Sequence, residues 1–222
     1  MNILKRIIIM ESKTVCVFGA GGRVGKEVVK LALLQGFKVK AQCRPNSNCS
    51  FKHENLTVLK GDLLNYEFVQ GVVRDCDCAI ITFGQRPPYK DIFCEEATAN
   101  ITRALKELNI PRLICLTGAI AGESDKNLTV PFKIFRKALA RKYKDVFNDR
   151  IKQESIVKES SLQWTIVKPP RLVENGERRI FIYSESLKMG LGSSIGFDDL
   201  AEFLVEQINS KDYFHKSVYV KY

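Results

Sequence analysis

Thr14-Val-Cys-Val-Phe-Gly-Ala-Gly-Gly-Arg-Val-Gly25 decides the fold. Its first five residues form a short apolar run stopped by glycine, the pattern of a strand buried on both faces. From Val24 to Leu34 apolar residues recur at helical spacing until Gly36 ends them. Gly19, Gly21, Gly22 and Gly25 therefore occupy a strand-to-helix turn. In such a turn Gly19 permits the tight reversal, Gly22 lets a pyrophosphate approach the backbone, and Gly25 lets the helix pack closely. Unpaired N–H groups around Gly21, Gly22, Arg23 and Val24, together with the positive end of the helix dipole, favour phosphate there. A tight turn without a ligand is the plain alternative, and the flanking strand, helix and second strand argue against it.

Working outward, apolar runs predict strands at 38–43, 56–60, 79–83, 112–117, 164–168 and 217–220, with helices at 66–73, 92–108, 146–159 and 197–208. Strands alternate with helices throughout. That order predicts a doubly wound α/β architecture, a mostly parallel sheet of the Rossmann type in three α/β/α layers. No linker divides the chain, so residues 13–222 read as one domain after an N-terminal extension at 1–12. Residues 119–147 form an insertion holding Phe132, Phe135, Tyr143 and Phe147 among many cations, and they are a candidate lid over the substrate side. An amphipathic surface helix is the alternative. Residues 171–182 are a candidate second wall.

The chain has 222 residues, 45% of them hydrophobic and 27% charged, an ordinary composition for a globular domain with a real core. Its net charge of +10 draws polyanions, yet the cations are interspersed with carboxylates and no nucleic-acid reading motif is present, so an anionic dinucleotide explains the charge better. Nucleic acid is not expected as a partner. Seven cysteines without paired metal-ligand spacing argue against zinc, no metal site is expected, and the spacing is also poor for disulfides. Cys16, Cys43 and Cys115 fall in buried runs, where a thiol acts as a small hydrophobe. A reducing, cytoplasmic location follows. Residues 1–10 carry too short an apolar run for a signal peptide, and no run reaches membrane-spanning length.

The second strand decides the cofactor. NAD-binding sites of this type end that strand in a carboxylate for the ribose hydroxyls. No Asp or Glu occurs between Val28 and His53, and the strand runs into Cys43-Arg-Pro-Asn-Ser47. Arg44 is thus placed for a 2′-phosphate, with Arg23 approaching from the other side, which predicts NADP(H).

The Gly-x-x-Gly-x-x-Gly spacing resembles the atypical and extended short-chain dehydrogenase/reductase superfamily, in its NmrA-like and biliverdin/flavin-reductase-like branch. The resemblance continues through Gly61-Asp62, Asp77 to Gly84, Asn100 to Thr117, Glu154 to Pro170 and Phe197 to Ala201. It implies that Asp62 contacts adenine, although an aspartate there also caps a helix. It further implies that Phe83, Gly84, Thr117, Lys168 and Pro169 lie beside the cofactor.

The main branch of that superfamily transfers protons with a Tyr-x-x-x-Lys pair. Here Tyr66, Tyr89, Tyr143, Tyr183 and Tyr213 are followed four places on by Gln70, Phe93, Phe147, Leu187 and Ser217, and Tyr219 and Tyr222 lie too near the end. Alignment on Glu154 puts Val146 and Arg150 in the tyrosine and lysine places. The candidate catalytic residues are therefore Thr117, toward a substrate carbonyl, and Arg150, toward a ribose hydroxyl. Two functions are compatible with this set. One is an NADP(H)-dependent oxidoreductase that orients an electron-accepting ring such as a flavin or quinone as its small-molecule substrate. The other is a non-catalytic NmrA-like sensor that binds NADP(H) and signals to a protein partner.

Overall fold

The computed structural model describes residues 12–47, 49–85, 88–89, 92–122, 124–174 and 179–222. Most of the predicted N-terminal extension lies outside the described residues. In chain order the elements are β1 (Thr14–Phe18), α1 (Arg23–Leu34), β2 (Lys38–Cys43), β3 (Leu56–Lys60), α2 (Tyr66–Val73), β4 (Cys78–Ile81), α3 (Cys94–Glu107) and β5 (Arg112–Leu116). A 3-10 turn (Asp125–Asn127), α4 (Val130–Lys142), α5 (Lys144–Glu159), β6 (Gln163–Lys168) and β7 (Arg171–Val173) follow. The chain continues with β8 (Ile182–Ser184), β9 (Ser194–Gly196), α6 (Phe197–Glu206) and β10 (Lys216–Lys221).

Eight strands form one sheet in the order β3-β2-β1-β4-β5-β6-β10-β8. Every pairing is parallel except β10 with β8. The 3-2-1-4-5-6 order is that of a doubly wound dinucleotide-binding sheet, and its direction of winding reverses between β1 and β4. Val15, Val17, Val39 and Ala41 point to the face covered by α1 and α6, where Val28, Val29, Leu200 and Leu204 complete a core. Cys16, Phe18, Ala79 and Ile81 alternate onto the opposite face, against Val69 and Val72 of α2, Ile101 and Leu105 of α3 and Val157 of α5. This period-2 division buries β1 on both sides and accounts for its unbroken apolar character.

Two cysteines expected as inert core thiols are bonded instead: Cys16 to Cys76 and Cys43 to Cys49. The spacing gave no hint because each bond joins a strand residue to a loop residue whose approach depends on tertiary folding. Cys115 is a buried free thiol, as expected.

The insertion forms α4, which anchors through buried Phe132 to Ala119, Leu128, Met189 and Tyr219. Its outer face leaves Val130, Ile134 and Phe135 substantially exposed. Among the described residues, no helix is long and apolar enough to cross a membrane.

Candidate cofactor-binding cleft

A cleft of about 660 Å³ opens at the C-terminal edge of the sheet, at the point where the winding reverses. Gly19, Gly21, Gly22, Arg23 and Val24 form one side, and Arg44 and Ser47 the lip beyond β2. Thr82, Phe83, Gly84 and Gln85 after β4, with Leu116 and Thr117 at the end of β5, line its middle. Pro88, Phe93, Arg150, Leu172 and Phe197 complete the described lining.

The glycine turn is built as its sequence requires. Gly19 has φ +83°, a left-handed conformation, and a Cβ there would lie 2.9 Å from the Phe83 backbone nitrogen. Gly25 is closer still to its surroundings, since a Cβ would stand 2.3 Å from the Gly19 carbonyl oxygen. The Gly19 N–H donates to Oε1 of buried Gln42 at 3.1 Å, and Gln42 Nε2 donates to the Gly61 carbonyl at 2.9 Å. Gln42 thereby ties the turn to the end of β3. Its role was not legible in the sequence, where it is simply a polar residue inside a strand.

Helix α1 begins at Arg23 with Gly22 as its N-cap, no side-chain cap and no acidic residue in its first turn. The N–H groups of that first turn have no partner within the helix, and they face the cleft with the positive end of the dipole. A dinucleotide pyrophosphate fits this opening.

The two turn-flanking arginines diverge. The Arg44 guanidinium rests over the Phe93 ring, 5.3 Å from its centroid, and has no carboxylate partner among the described residues. Arg23 turns the other way, lying 4.4 Å over the Phe197 ring and pairing with Glu174 at 3.2 Å. Arg23, expected to approach the same phosphate as Arg44, thus lines the cleft with its guanidinium paired to an exposed acid just beyond β7.

The deeper polar residues form a closed set. Thr117 Oγ1 donates to Glu154 Oε1 at 2.8 Å, and Lys168 Nζ reaches the two Glu154 oxygens at 2.7 and 2.9 Å. Lys168 also donates to the Ala121 carbonyl at 2.6 Å. Lys168 and Glu154 are each 1% exposed. Burial pulls the Lys168 ammonium below the ordinary lysine value, and the Glu154 carboxylate opposes that shift. Lys168, expected beside the cofactor, belongs to this internal pair and does not line the cleft. Thr117 does line it, but its hydroxyl proton is directed to Glu154.

Arg150 stands at the cleft through a clamp between α5 and α3. Asp149 accepts the N–H groups of Cys94 at 3.0 Å and Glu95 at 2.7 Å, capping a helix that lacks a cap of its own. Gln85 also donates to Asp149. Arg150 then bonds Gln153 Oε1 at 2.7 Å and approaches the Phe83 carbonyl at 3.4 Å. Burial pushes the neighbouring Cys94 thiol up to about 11, so it is not a nucleophile near neutrality.

Two other expected cofactor contacts stand elsewhere. Asp62 is exposed and accepts the Leu64 N–H at 3.0 Å, a local turn bond. Pro169 accepts the Ala119 N–H at 2.7 Å, and neither residue lines the cleft. Among the described residues of 119–147, the expected lid, none lines the cleft. Of the second wall, Leu172 is in place, while 175–178 lie outside the described residues. Among the described residues no cluster of metal-ligating side chains occurs.

Residues 19–211 match the NAD(P)H-binding family, starting on the first glycine of the turn. The chain belongs to that family. Its solved structural relatives include a Veillonella parvula short-chain dehydrogenase/reductase in complex with NADP (TM-score 0.77, 16% identity, 94% of each chain covered). Another is ChuY, an anaerobilin reductase of Escherichia coli O157:H7 (TM-score 0.73, 20% identity, 93% of this chain and 96% of that one). At these identities the likeness is one of fold, the NAD(P)-binding Rossmann fold. In sequence, the chain is 28% identical over 129 residues to cinnamoyl-CoA reductase 1 of Petunia hybrida, a match covering 53% of this chain but only 39% of that enzyme. It is 26% identical over 214 residues to an uncharacterised chloroplastic protein of Arabidopsis thaliana, across 90% of this chain and 73% of that one.

Proposed function

We propose that this NAD(P)H-binding protein takes NADP(H) and acts as an oxidoreductase that reduces a planar electron-accepting ring, such as a flavin or quinone. One observation carries the cofactor choice: among the described residues, the cleft lining includes Arg23, Arg44 and Arg150 and no carboxylate. An acid at the end of β2 would repel a 2′-phosphate. Arg44 at the lip, with Ser47 beside it, offers a fork and a hydroxyl to one.

When bound, the reduced nicotinamide supplies a hydride. The chain's own part is to bind, to orient and to exclude water. Phe83, Phe93, Leu116, Leu172 and Phe197 give the cleft apolar walls suited to a flat ring. With the Thr117 hydroxyl committed to Glu154, the ring's proton comes from solvent, and catalysis rests on positioning.

The test is to mix the protein with NADPH and a panel of flavins and quinones and follow cofactor absorbance. Turnover with at least one ring supports the oxidoreductase. A flat trace across the panel, with tight NADPH binding by calorimetry, favours the sensor reading, for which the commitment of Thr117 to an internal ion pair is the supporting observation.

A further inference from the structure

We propose that Cys43 and Cys49 are a reversible thiol–disulfide couple that sets how firmly Arg44 and Ser47 hold the 2′-phosphate. The proposal rests on the NADP(H) reading above and adds a modification site to it. The bond spans a sequence separation of six residues, and between its ends lie both residues of the cleft lip. Cys43 is the last residue of β2, 1% exposed and fixed by its register opposite Lys60. Its carbonyl also accepts the Gly61 N–H at 3.1 Å. Cys49 is half-buried, and its sulfur packs on the glycine turn, where a Cβ on Gly21 would come within 3.1 Å. The bond therefore fastens the lip to β2 while Cys49 rests against the turn.

Among the described residues, the backbone hydrogen bonds between the sulfurs are local, and the loop meets the rest of the protein through Arg44 on Phe93 and Cys49 against the core. Ser47 Oγ and N–H both donate to the Arg44 carbonyl, at 2.7 and 3.0 Å, and the Cys49 N–H donates to the Ser47 carbonyl at 3.1 Å. These described bonds lie within the loop. The other bonded pair, Cys16 and Cys76, lies in the core on the α2 side and contributes nothing to the cleft lining. The free thiols Cys78 and Cys115 are buried and pushed up to about 12, which leaves them unreactive.

The chemistry balances with a low-molecular-weight disulfide of the oxidised-glutathione class. Cys49, the more accessible sulfur, attacks as thiolate, releases one glutathione thiolate and forms a mixed disulfide. Cys43 thiolate then attacks Cys49 Sγ and releases the second. Two electrons pass from the protein dithiol to the oxidant, and the two thiol protons end on the two released glutathiones. Excess reduced glutathione reverses both steps. On reduction the sulfurs must separate to van der Waals distance. Cys43 is held by the sheet, so Cys49 and the lip move and sample more conformations. Ordering about one lip side chain anew on binding weakens NADPH by about three- to tenfold. NADH, which has no 2′-phosphate for the lip to hold, changes by less than about twofold on the same reasoning.

The experiment is calorimetric titration of NADPH and NADH into protein equilibrated in oxidised or reduced glutathione, with the bond state read by thiol trapping and mass spectrometry. The expected result is tighter NADPH binding in the oxidised protein, with NADH nearly indifferent. Cys49→Ser and Cys49→Ala, checked for folding by circular dichroism, should bind like reduced protein and ignore the glutathione ratio, whereas Cys16→Ser should keep the response. Equal NADPH affinity in both states, failure of the bond to form in oxidised glutathione, or a response that survives in the Cys49 variants overturns the switch alone. Absence of NADPH binding in either state overturns the cofactor reading and the switch together.

Discussion

Replacing Arg44 by Ala tests the cofactor assignment at its narrowest point. The guanidinium sits on the Phe93 ring with no acid beside it, so the substitution orphans no carboxylate and opens no core cavity. What it removes is a charge-assisted contact to phosphate, worth about 1.5–3 kcal/mol when made. Arg44 is exposed, and solvent screening favours the lower half of that range, about 1.5–2 kcal/mol. That converts to about ten- to thirtyfold weaker NADPH binding. Loss of the contact with Phe93 touches both cofactors alike, at about 0.5 kcal/mol, or roughly twofold. The NADPH-to-NADH preference should therefore fall by about an order of magnitude. Arg44→Lys keeps the charge without the fork and should lie between. The assay is isothermal titration with both cofactors at two ionic strengths, and the wild-type preference should itself shrink as salt rises. Equal losses for both cofactors, or tighter wild-type binding of NADH, would refute the assignment of Arg44 to a 2′-phosphate.

Gly22→Asp should abolish dinucleotide binding and leave melting nearly unchanged, because aspartate is a good N-cap at φ −75° and ψ 166° yet puts a carboxylate where the phosphates belong; retained binding would contradict the turn's role. Gly25→Ala should cost stability as well as binding, by about 2–3 kcal/mol, since its Cβ meets backbone that cannot yield; an unchanged melting curve would count against the packed turn. Thr117→Val should lower stability by about 1.5–3 kcal/mol through the lost bond to the buried carboxylate. A selective fall in kcat at unchanged melting temperature would instead place that hydroxyl on the substrate. Lys168→Met leaves buried Glu154 with only the more distant, partly exposed Lys158 ammonium at 3.9 Å and should cost about 3 kcal/mol, with much of that recovered in the Lys168→Met/Glu154→Leu double variant. Additive losses in the double variant would show that the pair is not coupled.

Periodicity made most of the scaffold legible. β2 and β3 occupy their expected positions, Lys38–Cys43 and Leu56–Lys60, because each is a continuous run bounded by breakers. The short strands β7, β8 and β9 were not read, since three residues carry no period. Part of the cleft was equally visible: Gly19, Gly21, Gly22, Arg44, Phe83 and Gly84, read as cofactor contacts, line it. The rest depends on side chains meeting across elements. Nothing local tells Lys168 that Glu154 waits on α5, so its charge read as a ligand contact when it is half of an internal pair. Asp149 capping α3 from another helix, and Gln42 bracing the turn, are invisible for the same reason.

The packing of α1 against α6 has a consequence for the order of synthesis. The apolar face of α1, with Val24, Val28, Val29 and Ala32, is sheltered by a helix that begins only at Phe197. On a ribosome adding about 5–20 residues per second, the first helix waits on the order of ten to thirty seconds for its cover. Even then α6 is fastened by Tyr222, whose ring hydroxyl accepts the Gly196 N–H at 2.9 Å and donates to Asp199 at 2.5 Å. The phosphate-binding turn thus emerges well before the helix that completes its surroundings, so a nascent chain stalled before α6 exposes that face to whatever lies nearby.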